Sequence, residues 1–518
     1  MATKKASKKT AKKRTSAAKA SKRSSKRGSA PASRKAGASK RNAATRSSKA
    51  NRAVTRRGSA KGDLRVRMYR VGFGDFFLLT VPTRSGPQHI LIDCGVHAGN
   101  IGSMNACVQD LINETNRKLA LVIATHYHAD HLSGFASNFD EFAKFDVGMV
   151  WITNRLDPNH EGASKFKAQI RSIASKLQLR LGARKDEAGR QALEKVQNAL
   201  GIQLGAKDKE GDNEKALRLL TTGFKSKPPV KYYQGGDTPE LPPSLKGSIT
   251  AELLGPAPID SGTEFASSDN KKEQYLCAAA DQDLPSSDGL NPFEKSWPAS
   301  AEDYPEAAFR EYRTEAQIER KQPGSPRALE QTLQAAQPDV LLAMAEAVDG
   351  TLNNQSLVIL FTCIGKKLLF VGDAQWGNWS YWLYGKKVTG EDPGINEKAK
   401  SILGSIDFFK VGHHGSTNAN PIPAVAAMNK KCVSMCSTES SDAYPNKKRP
   451  YGSIDKKTEV PRIKLMEEME IQTENRLVRS DWIAVLDVKA SPEAKGQLDE
   501  LPANFSTGDL FIDYVFPE

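Results

Sequence analysis

The stretch Thr125-His126-Tyr127-His128-Ala129-Asp130-His131 constrains this chain more than any other. Three of the chain's eight histidines and an aspartate stand in the order H-x-H-x-D-H, directly after the apolar run Leu119 to Ala124. Such a run reads as a buried strand, so the motif sits where a strand ends and its loop begins. Loops held by a rigid scaffold are where binding and catalytic groups collect. Imidazoles with a carboxylate suit zinc first, and manganese or iron after it. Ligands at i and i+2 can grip one metal. The Asp-His pair that follows can reach a second, which is the arrangement used in two-metal hydrolysis.

Further blocks accompany the motif. They are Val71-Gly72-Phe73-Gly74-Asp75-Phe76-Phe77-Leu78-Leu79, His89-Ile90-Leu91-Ile92-Asp93-Cys94-Gly95, Leu369-Phe370-Val371-Gly372-Asp373-Ala374 and Phe408-Phe409-Lys410-Val411-Gly412-His413-His414-Gly415-Ser416. In their order, across residues 64–155 and 350–455, these blocks resemble the metallo-β-lactamase superfamily. With Asn353-Asn354-Gln355-Ser356-Leu357-Val358, they are most similar to its competence-type branch of DNA-uptake hydrolase domains, without that branch's membrane segments.

The resemblance implies an α/β fold, a four-layer αβ/βα metallo-β-lactamase sandwich, and two divalent metal ions. His126 and His128 would hold the first ion, Asp130 and His131 the second, and Asp373 would touch both. One of His413 and His414 would complete the second site, and which one stays open. Asp130 and His414 are also the catalytic candidates. Asp93 is expected behind the ligands, orienting a histidine by hydrogen bond. Asp75 is a turn residue or a similar support. The first site wants a third histidine, and His160, in Asp157-Pro158-Asn159-His160, is the candidate. His97 is a cleft-lining candidate, and His89 reads as an ordinary strand-edge residue. The chemistry also stands on its own. A carboxylate shared by two cations lets both polarise one water, and zinc alone lowers a water's pKa to about 7, so a metal-bound hydroxide is available at neutral pH. Asp373 follows the apolar run Leu368 to Val371, which should fix its backbone.

Charge divides the chain sharply. Residues 1–62 hold 22 of the 75 Lys and Arg and none of the 60 Asp and Glu. Residues 63–518 are left with 53 basic and 60 acidic side chains, a net charge of −7, so the chain's +15 belongs wholly to the tail. Apart from Met1, Val54 is the tail's lone large apolar residue. Such a segment cannot bury a core and is expected to be disordered. Its composition resembles histone-H1-type tails, and blocks of this kind bind nucleic acid or another polyanion through phosphate neutralisation. A solubility tail is the plainer alternative. A transit peptide is disfavoured, because the tail has too few apolar residues for an amphipathic face. No apolar h-region stands near the N-terminus, and no run of about 18 apolar residues occurs, so neither a secretory signal nor a transmembrane helix is expected. The cysteines, Cys94, Cys107, Cys277, Cys363, Cys432 and Cys436, are scattered, and several sit in apolar runs. That is the usage of reduced, buried thiols in a cytoplasmic chain. The tail adds nucleoid association as a prospect.

The organisation reads as a tail, 1–62, and one hydrolase domain, 63–518, with an insertion over approximately 160–345. Residues 162–222 read as two or three surface helices broken near Gly182, Gly189 and Gly201. Ser248 to Leu254 reads as a strand, 256–325 as loops, and 326–348 as one helix interrupted at Pro338. Strands resume at Leu357 to Cys363 and Lys367 to Val371. Asp373 and His413 lie only 40 positions apart, which disfavours the nucleic-acid-processing branch that carries a large insert there. Asp442-Ala443-Tyr444-Pro445-Asn446 lacks a histidine that the competence-type branch often has. Lys447, Lys448 and Arg449 follow and read either as phosphate contacts or, at least as readily, as a solvated basic turn.

The expected function is a metal-dependent hydrolase, a phosphodiesterase or nuclease. The alternative is a hydrolase of a small ester, lactone, thioester or phosphocholine-type substrate, with the tail used only for localisation. The body's net −7 favours that alternative, since nuclease clefts are usually basic. A nucleoid-associated binding protein with a relict metal site is disfavoured by the intact ligand set. Removing residues 1–62 is expected to abolish salt-sensitive DNA retention while hydrolysis of a small chromogenic diester persists. Gel-shift and absorbance assays on the truncated chain check this, and equal loss of both would refute the division of labour.

Overall fold

The computed structural model describes residues 62–96, 102–182, 184–201, 211–261, 338–385, 394–439, 460–481 and 503–517. The tail to residue 61, His97, Cys277, residues 262–337, Asp442–Asn446 and Lys447–Arg449 lie outside the described residues. Short apolar runs bounded by Gly, Asp or Pro become strands in both halves of the chain. In the first half they are β1 (Arg65–Tyr69), β2 (Phe76–Val81), β3 (Gln88–Cys94), β4 (Lys118–Leu119), β5 (Leu121–Ala124), β6 (Asp146–Val147), β7 (Val150–Thr153) and β8 (Val230–Tyr233). Between them run helices α1 (Met104–Thr115), α2 (Ala129–Ser137), α3 (Phe139–Phe142), α4 (Glu161–Leu181), α5 (Glu187–Leu200) and α6 (Asp212–Arg218). The second half carries β9 (Ile249–Gly255), α7 (Pro338–Asn353), β10 (Val358–Cys363), β11 (Lys366–Phe370), α8 (Trp376–Tyr384), α9 (Glu397–Leu403), β12 (Phe408–Lys410), α10 (Ile422–Ala426), β13 (Val433–Cys436), α11 (Ile463–Gln472), β14 (Leu477–Arg479), β15 (Phe505–Thr507) and β16 (Phe511–Val515).

The chain is mixed α/β. An eight-stranded sheet runs β15-β16-β1-β2-β3-β5-β7-β8, a six-stranded sheet runs β14-β13-β12-β11-β10-β9, and β4 pairs with β6. Each large sheet passes from an antiparallel to a parallel ladder. In the first, β1-β2-β3 is antiparallel and β3-β5-β7-β8 is parallel. In the second, β9-β10-β11 is antiparallel and β11-β12-β13-β14 is parallel. The late strand β16 returns to pair with β1.

Alternation along each strand decides what it buries. Phe77 and Leu79 of β2, Leu121 and Ile123 of β5, Ile359 and Phe361 of β10, and Leu368 and Phe370 of β11 form one core shared by the two sheets. Their neighbours point the other way. Phe76 and Leu78 join Leu111 of α1 and Phe135 of α2. Val358 and Leu360 join Trp379 of α8 and Leu403 of α9. Across the shared core, Trp151 stacks on Phe361 at 6.4 Å between ring centroids, and Phe77 meets Phe370 edge-on at 6.1 Å.

The segment expected as one insertion is interrupted. β8 extends the first sheet and β9 closes the second, so only α4–α6 and α7 stand apart from the sheets among its described residues. Nor are the helices merely surface features. Ile170, Ile173 and Leu177 of α4, Val196 and Leu200 of α5, and Met344, Val348 and Leu352 of α7 form a fourth apolar cluster. Gly182 and Gly201 end α4 and α5 as expected, Gly201 with φ +63°. Gly189 instead lies inside α5. Pro338 is the first described residue of α7, and the rest of the helix expected over 326–348, residues 326–337, lies outside the described residues. Cys94, Cys107, Cys363, Cys432 and Cys436 are buried free thiols. No described helix is long and apolar enough to cross a membrane.

Phe361 is fully buried in the shared core. Truncation to Ala is expected to lower unfolding stability by about 3–5 kcal/mol. Leu179→Ala, at a position 74% exposed, should change it by no more than about 0.5 kcal/mol. Denaturant melts of the two variants check the contrast.

Candidate metal centre

Four strand ends deliver the site. β3 ends in Asp93-Cys94, β5 runs into Thr125 and the histidine motif, β11 into Val371-Gly372-Asp373, and β12 into the turn of His413 and His414. Carboxyl ends of parallel strands open the crevice where α/β proteins place ligands. Here β3 and β5 form one such parallel pair, and β11 and β12 the other.

Outer contacts aim the imidazoles. His126 Nδ1 lies 3.1 Å from Thr125 Oγ1, which donates to Asp93 Oδ2 at 2.7 Å. His131 Nδ1 is 2.7 Å from the same Asp93 oxygen. His414 Nδ1 donates to the Ser437 carbonyl at 2.7 Å. Fixing one ring nitrogen sets the tautomer and directs the other. The opposite nitrogens converge. His131 Nε2 is 3.0 Å from Asp373 Oδ2, and His414 Nε2 is 3.5 Å from that oxygen and 3.4 Å from Asp130 Oδ2. His126 Nε2 is 3.1 Å from His128 Nδ1. Asp130, His131, Asp373 and His414 form one group whose ligand atoms lie within 4.8 Å of one another, and His126, His128 and Asp130 form a second.

The donor set fits a cation. His131 Nε2, Asp130 Oδ1 and Asp373 Oδ2 are buried with no hydrogen-bond partner among the described residues. Orphaned buried polar atoms are costly and rare. Atoms that approach closely without hydrogen-bond geometry suit an ion between them, and imidazole with carboxylate suits a divalent transition metal. Lys410 reinforces this. Its buried ammonium pairs with Asp75, donates to the Gly372 carbonyl at 2.7 Å, and lies 3.2 Å from Asp373 Oδ1. Asp373 is thereby left with Oδ2 alone facing the histidines, the atom a shared ligand would use.

Charge coupling is strong. Burial opposes a charged His131, but Asp373, Asp93 and Asp130 outweigh it and raise its pKa well above the ordinary value. Burial resists ionisation of Asp373 too, yet His131, His414 and Lys410 hold it well below the usual carboxylate range. His126 goes the other way, driven far down by burial and by its neighbours His131 and His128. Burial lowers His413 to about 3.

The local backbone is shaped for closeness. A Cβ on Gly74 would stand 2.3 Å from the Gly95 carbonyl oxygen, and one on Gly95 would stand 2.4 Å from the His131 nitrogen. The Gly-x-Gly-Asp and Asp-x-Gly glycines therefore let two loops press on the histidine motif. Asp93, His413 and His414 hold φ of +54°, +43° and +54°. Left-handed backbone at such residues costs about 1–3 kcal/mol each and gathers at functional sites.

His126, His128, Asp130, His131, Asp373 and His414 are thus brought together. Of the late pair, His414 joins the group. His413 sits at the rim, 16% exposed and 3.8 Å from Asp373 Oδ2, with its Nδ1 near Ser416 Oγ at 2.7 Å and Gln375 Nε2 at 3.0 Å. Asp93 lies behind His131, its Oδ2 2.7 Å from the ring Nδ1, and its Oδ1 accepts from the Thr125 N–H at 2.8 Å. Asp75 is more than a turn residue, since it is buried and ion-paired with Lys410. His160 is not brought to the cluster. It is exposed and caps α4, its Nδ1 accepting from the Ala163 N–H at 3.3 Å. The turn before a helix makes an N-cap of such a residue. Sequence reasoning missed the roles of Lys410, Asn198 and Asp349. Asn198 Oδ1 accepts from the Asp130 N–H at 3.1 Å, and Asp349 Oδ1 stands 3.8 Å from His128 Nε2. A charged residue closing the apolar strand Phe408–Lys410 was the available signal for the first.

No protein-family model matches this chain, and no curated protein matches it closely enough in sequence to stand as a relative.

Lys410→Met would leave two buried carboxylates without their ammonium. The metal-free protein is expected to lose about 3–5 kcal/mol of stability. Zinc should restore part of the loss by binding only the folded state. Denaturant melts with and without zinc check this, and an unchanged metal-free midpoint would overturn the role given to Lys410.

Proposed function

We propose that the chain is a metal-dependent hydrolase of the metallo-β-lactamase type, with a phosphodiester, nucleic acid foremost, as its substrate class. The convergence of Asp130, His131, Asp373 and His414, with buried atoms left unpartnered, carries this reading. Two sheets with one antiparallel-to-parallel order, a shared core, and helices packed on their other sides support the αβ/βα four-layer arrangement. His126 and His128 would hold one divalent ion and Asp130, His131 and His414 the other, with Asp373 as the carboxylate contributing to both. Zinc suits these donors, as do manganese and iron. Such ions, when bound, supply Lewis acidity and an acidified water at neutral pH.

The chain's own residues do the rest. Thr125, Asp93 and Ser437 hold the outer nitrogens and so direct the inner ones toward the cluster. Lys410 offsets the charge of Asp373 and Asp75 where water cannot. His413, neutral near pH 7 and partly exposed at the rim, is placed to hydrogen-bond a substrate oxygen. The basic tail would tether the enzyme to a polyanion. One observation favours a second reading, hydrolysis of a small ester, lactone, thioester or phosphocholine-type compound: the body carries −7 where nucleic acid would have to dock.

Hydrolysis of bis-p-nitrophenyl phosphate and of single- and double-stranded DNA and RNA decides between them. The zinc- or manganese-loaded protein is expected to cleave, and Asp130→Ala to lose the activity. Two bound metals with no cleavage of any diester would refute the phosphodiesterase and leave the small-ester reading, testable on nitrophenyl esters and lactones.

A further inference from the structure

The histidines of the centre follow one pattern with one gap. His126, His131 and His414 each have an oxygen against the ring nitrogen that faces away from the cluster, supplied by Thr125, Asp93 and the Ser437 carbonyl. For His128 the inward nitrogen is Nδ1, 3.1 Å from His126 Nε2, so its outer nitrogen is Nε2. That atom is buried, with no hydrogen-bond partner among the described residues. The carboxylate facing it is Asp349, whose Oδ1 lies at 3.8 Å.

We infer that Asp349 is a positioning residue: it holds the His128 Nε2–H and thereby turns Nδ1 toward the metal. The inference rests on the metal-centre reading above. Its geometry repeats that of Asp373, where one oxygen is anchored and the other left to act. Asp349 Oδ2 accepts from Asn353 Nδ2 at 3.1 Å, and that amide nitrogen also lies 3.4 Å from His413 Nε2. Only Oδ1 is left for the imidazole.

The inserted helices put Asp349 there. The apolar face of α7, including Met344, Val348 and Leu352, packs into the cluster formed with α4 and α5. Lys195 of α5 pairs with Glu346 of α7 at 2.6 Å, one turn before Asp349. The same insertion grips the motif on either side of His128. Asn213 Nδ2 donates to the Tyr127 carbonyl at 2.5 Å, and Asn198 Oδ1 accepts from the Asp130 N–H at 3.1 Å. Tyr127 Oη donates to Glu214 Oε1 at 2.6 Å, which Arg171 of α4 holds at 2.9 Å. Contacts at residues 127, 128 and 130 make the insertion a frame for the metal-binding loop.

Calorimetric titration of the metal-free full chain with zinc, for wild type, Asp349→Ala and Asp349→Asn, tests this. D349A is expected to bind one zinc about 10- to 100-fold more weakly, with the other site unchanged. D349N should fall closer to wild type, because its amide oxygen still accepts from Nε2–H. Cobalt(II) absorption bands should match in all three, since the metal's own ligands are intact. Imidazole ¹⁵N spectra of the zinc-bound wild type should read His128 as the Nε2–H tautomer, which needs no variant to fold. Wild-type affinity in D349A, shifted cobalt bands in D349N, or an Nδ1–H tautomer would each overturn the positioning role. A wild type that binds no metal would be a different result, sinking the metal centre itself.

Discussion

Everything near the centre answers to one electrostatic requirement: several carboxylates and imidazoles are buried together and must be compensated without water. An isolated buried charge is intolerable, and a buried pair is tolerable only with good geometry and further hydrogen bonds. The structure meets this by overlap. Asp373 lies between Lys410 and His131, Asp75 shares the same ammonium, and Asp93 serves both Thr125 and His131. Among the buried atoms left without a hydrogen-bond partner are His131 Nε2, Asp130 Oδ1 and Asp373 Oδ2, which a cation would satisfy. The strained turn at His413 and His414 is tolerable because Ser437, Ser416 and Asp130 hold its side chains.

That requirement explains the fold's economy. The two ladders place β3 beside β5 and β11 beside β12, so four strand ends can contribute to one crevice. Their bases are fixed by the shared core, where Phe77, Phe361 and Phe370 interlock with Trp151. A ligand on a strand end moves only if the strand does. The loops that do not grow from strands are pinned by close approach instead, as at Gly74 and Gly95. The inserted helices add a third kind of restraint, an outside frame with its own small apolar core.

What was legible in the sequence was local in the chain. The H-x-H-x-D-H spacing, the Asp that ends β3 and the Gly-Asp after β11 each combine an apolar run with a polar group at its end, and all reach the cluster. Position along the chain could not separate His413 from His414. One left-handed turn sends His414 inward to Asp130 and leaves its neighbour at the rim. His160 misled because residue type was read without its turn: an exposed residue just before a helix becomes a cap. β8 escaped notice because Val230–Tyr233 is only partly apolar, as an edge strand allows. Lys410 and Asp349 were missed for a deeper reason. Their charged partners lie 37 or more positions away in the chain, and a buried charge is most legible when its counter-charge is in view.

The same logic separates the two ends of the proposed activity. A buried centre acts over a few ångströms, with its charges fixed by neighbours and insulated from salt. A run of cations with almost no large apolar residues is of the opposite kind, since charges in water are screened beyond about 8 Å at physiological ionic strength. Twenty-two cations on 62 residues are suited to binding a polyanion rather than to tuning a buried site. Under the proposed function they would raise the local concentration of a polyanion substrate. The body's excess of acidic groups is then no obstacle to a polymer substrate, provided attachment and cleavage are handled by different parts of the chain. A small neutral substrate would need no such tether, and the tail would then serve only to decide where the enzyme resides.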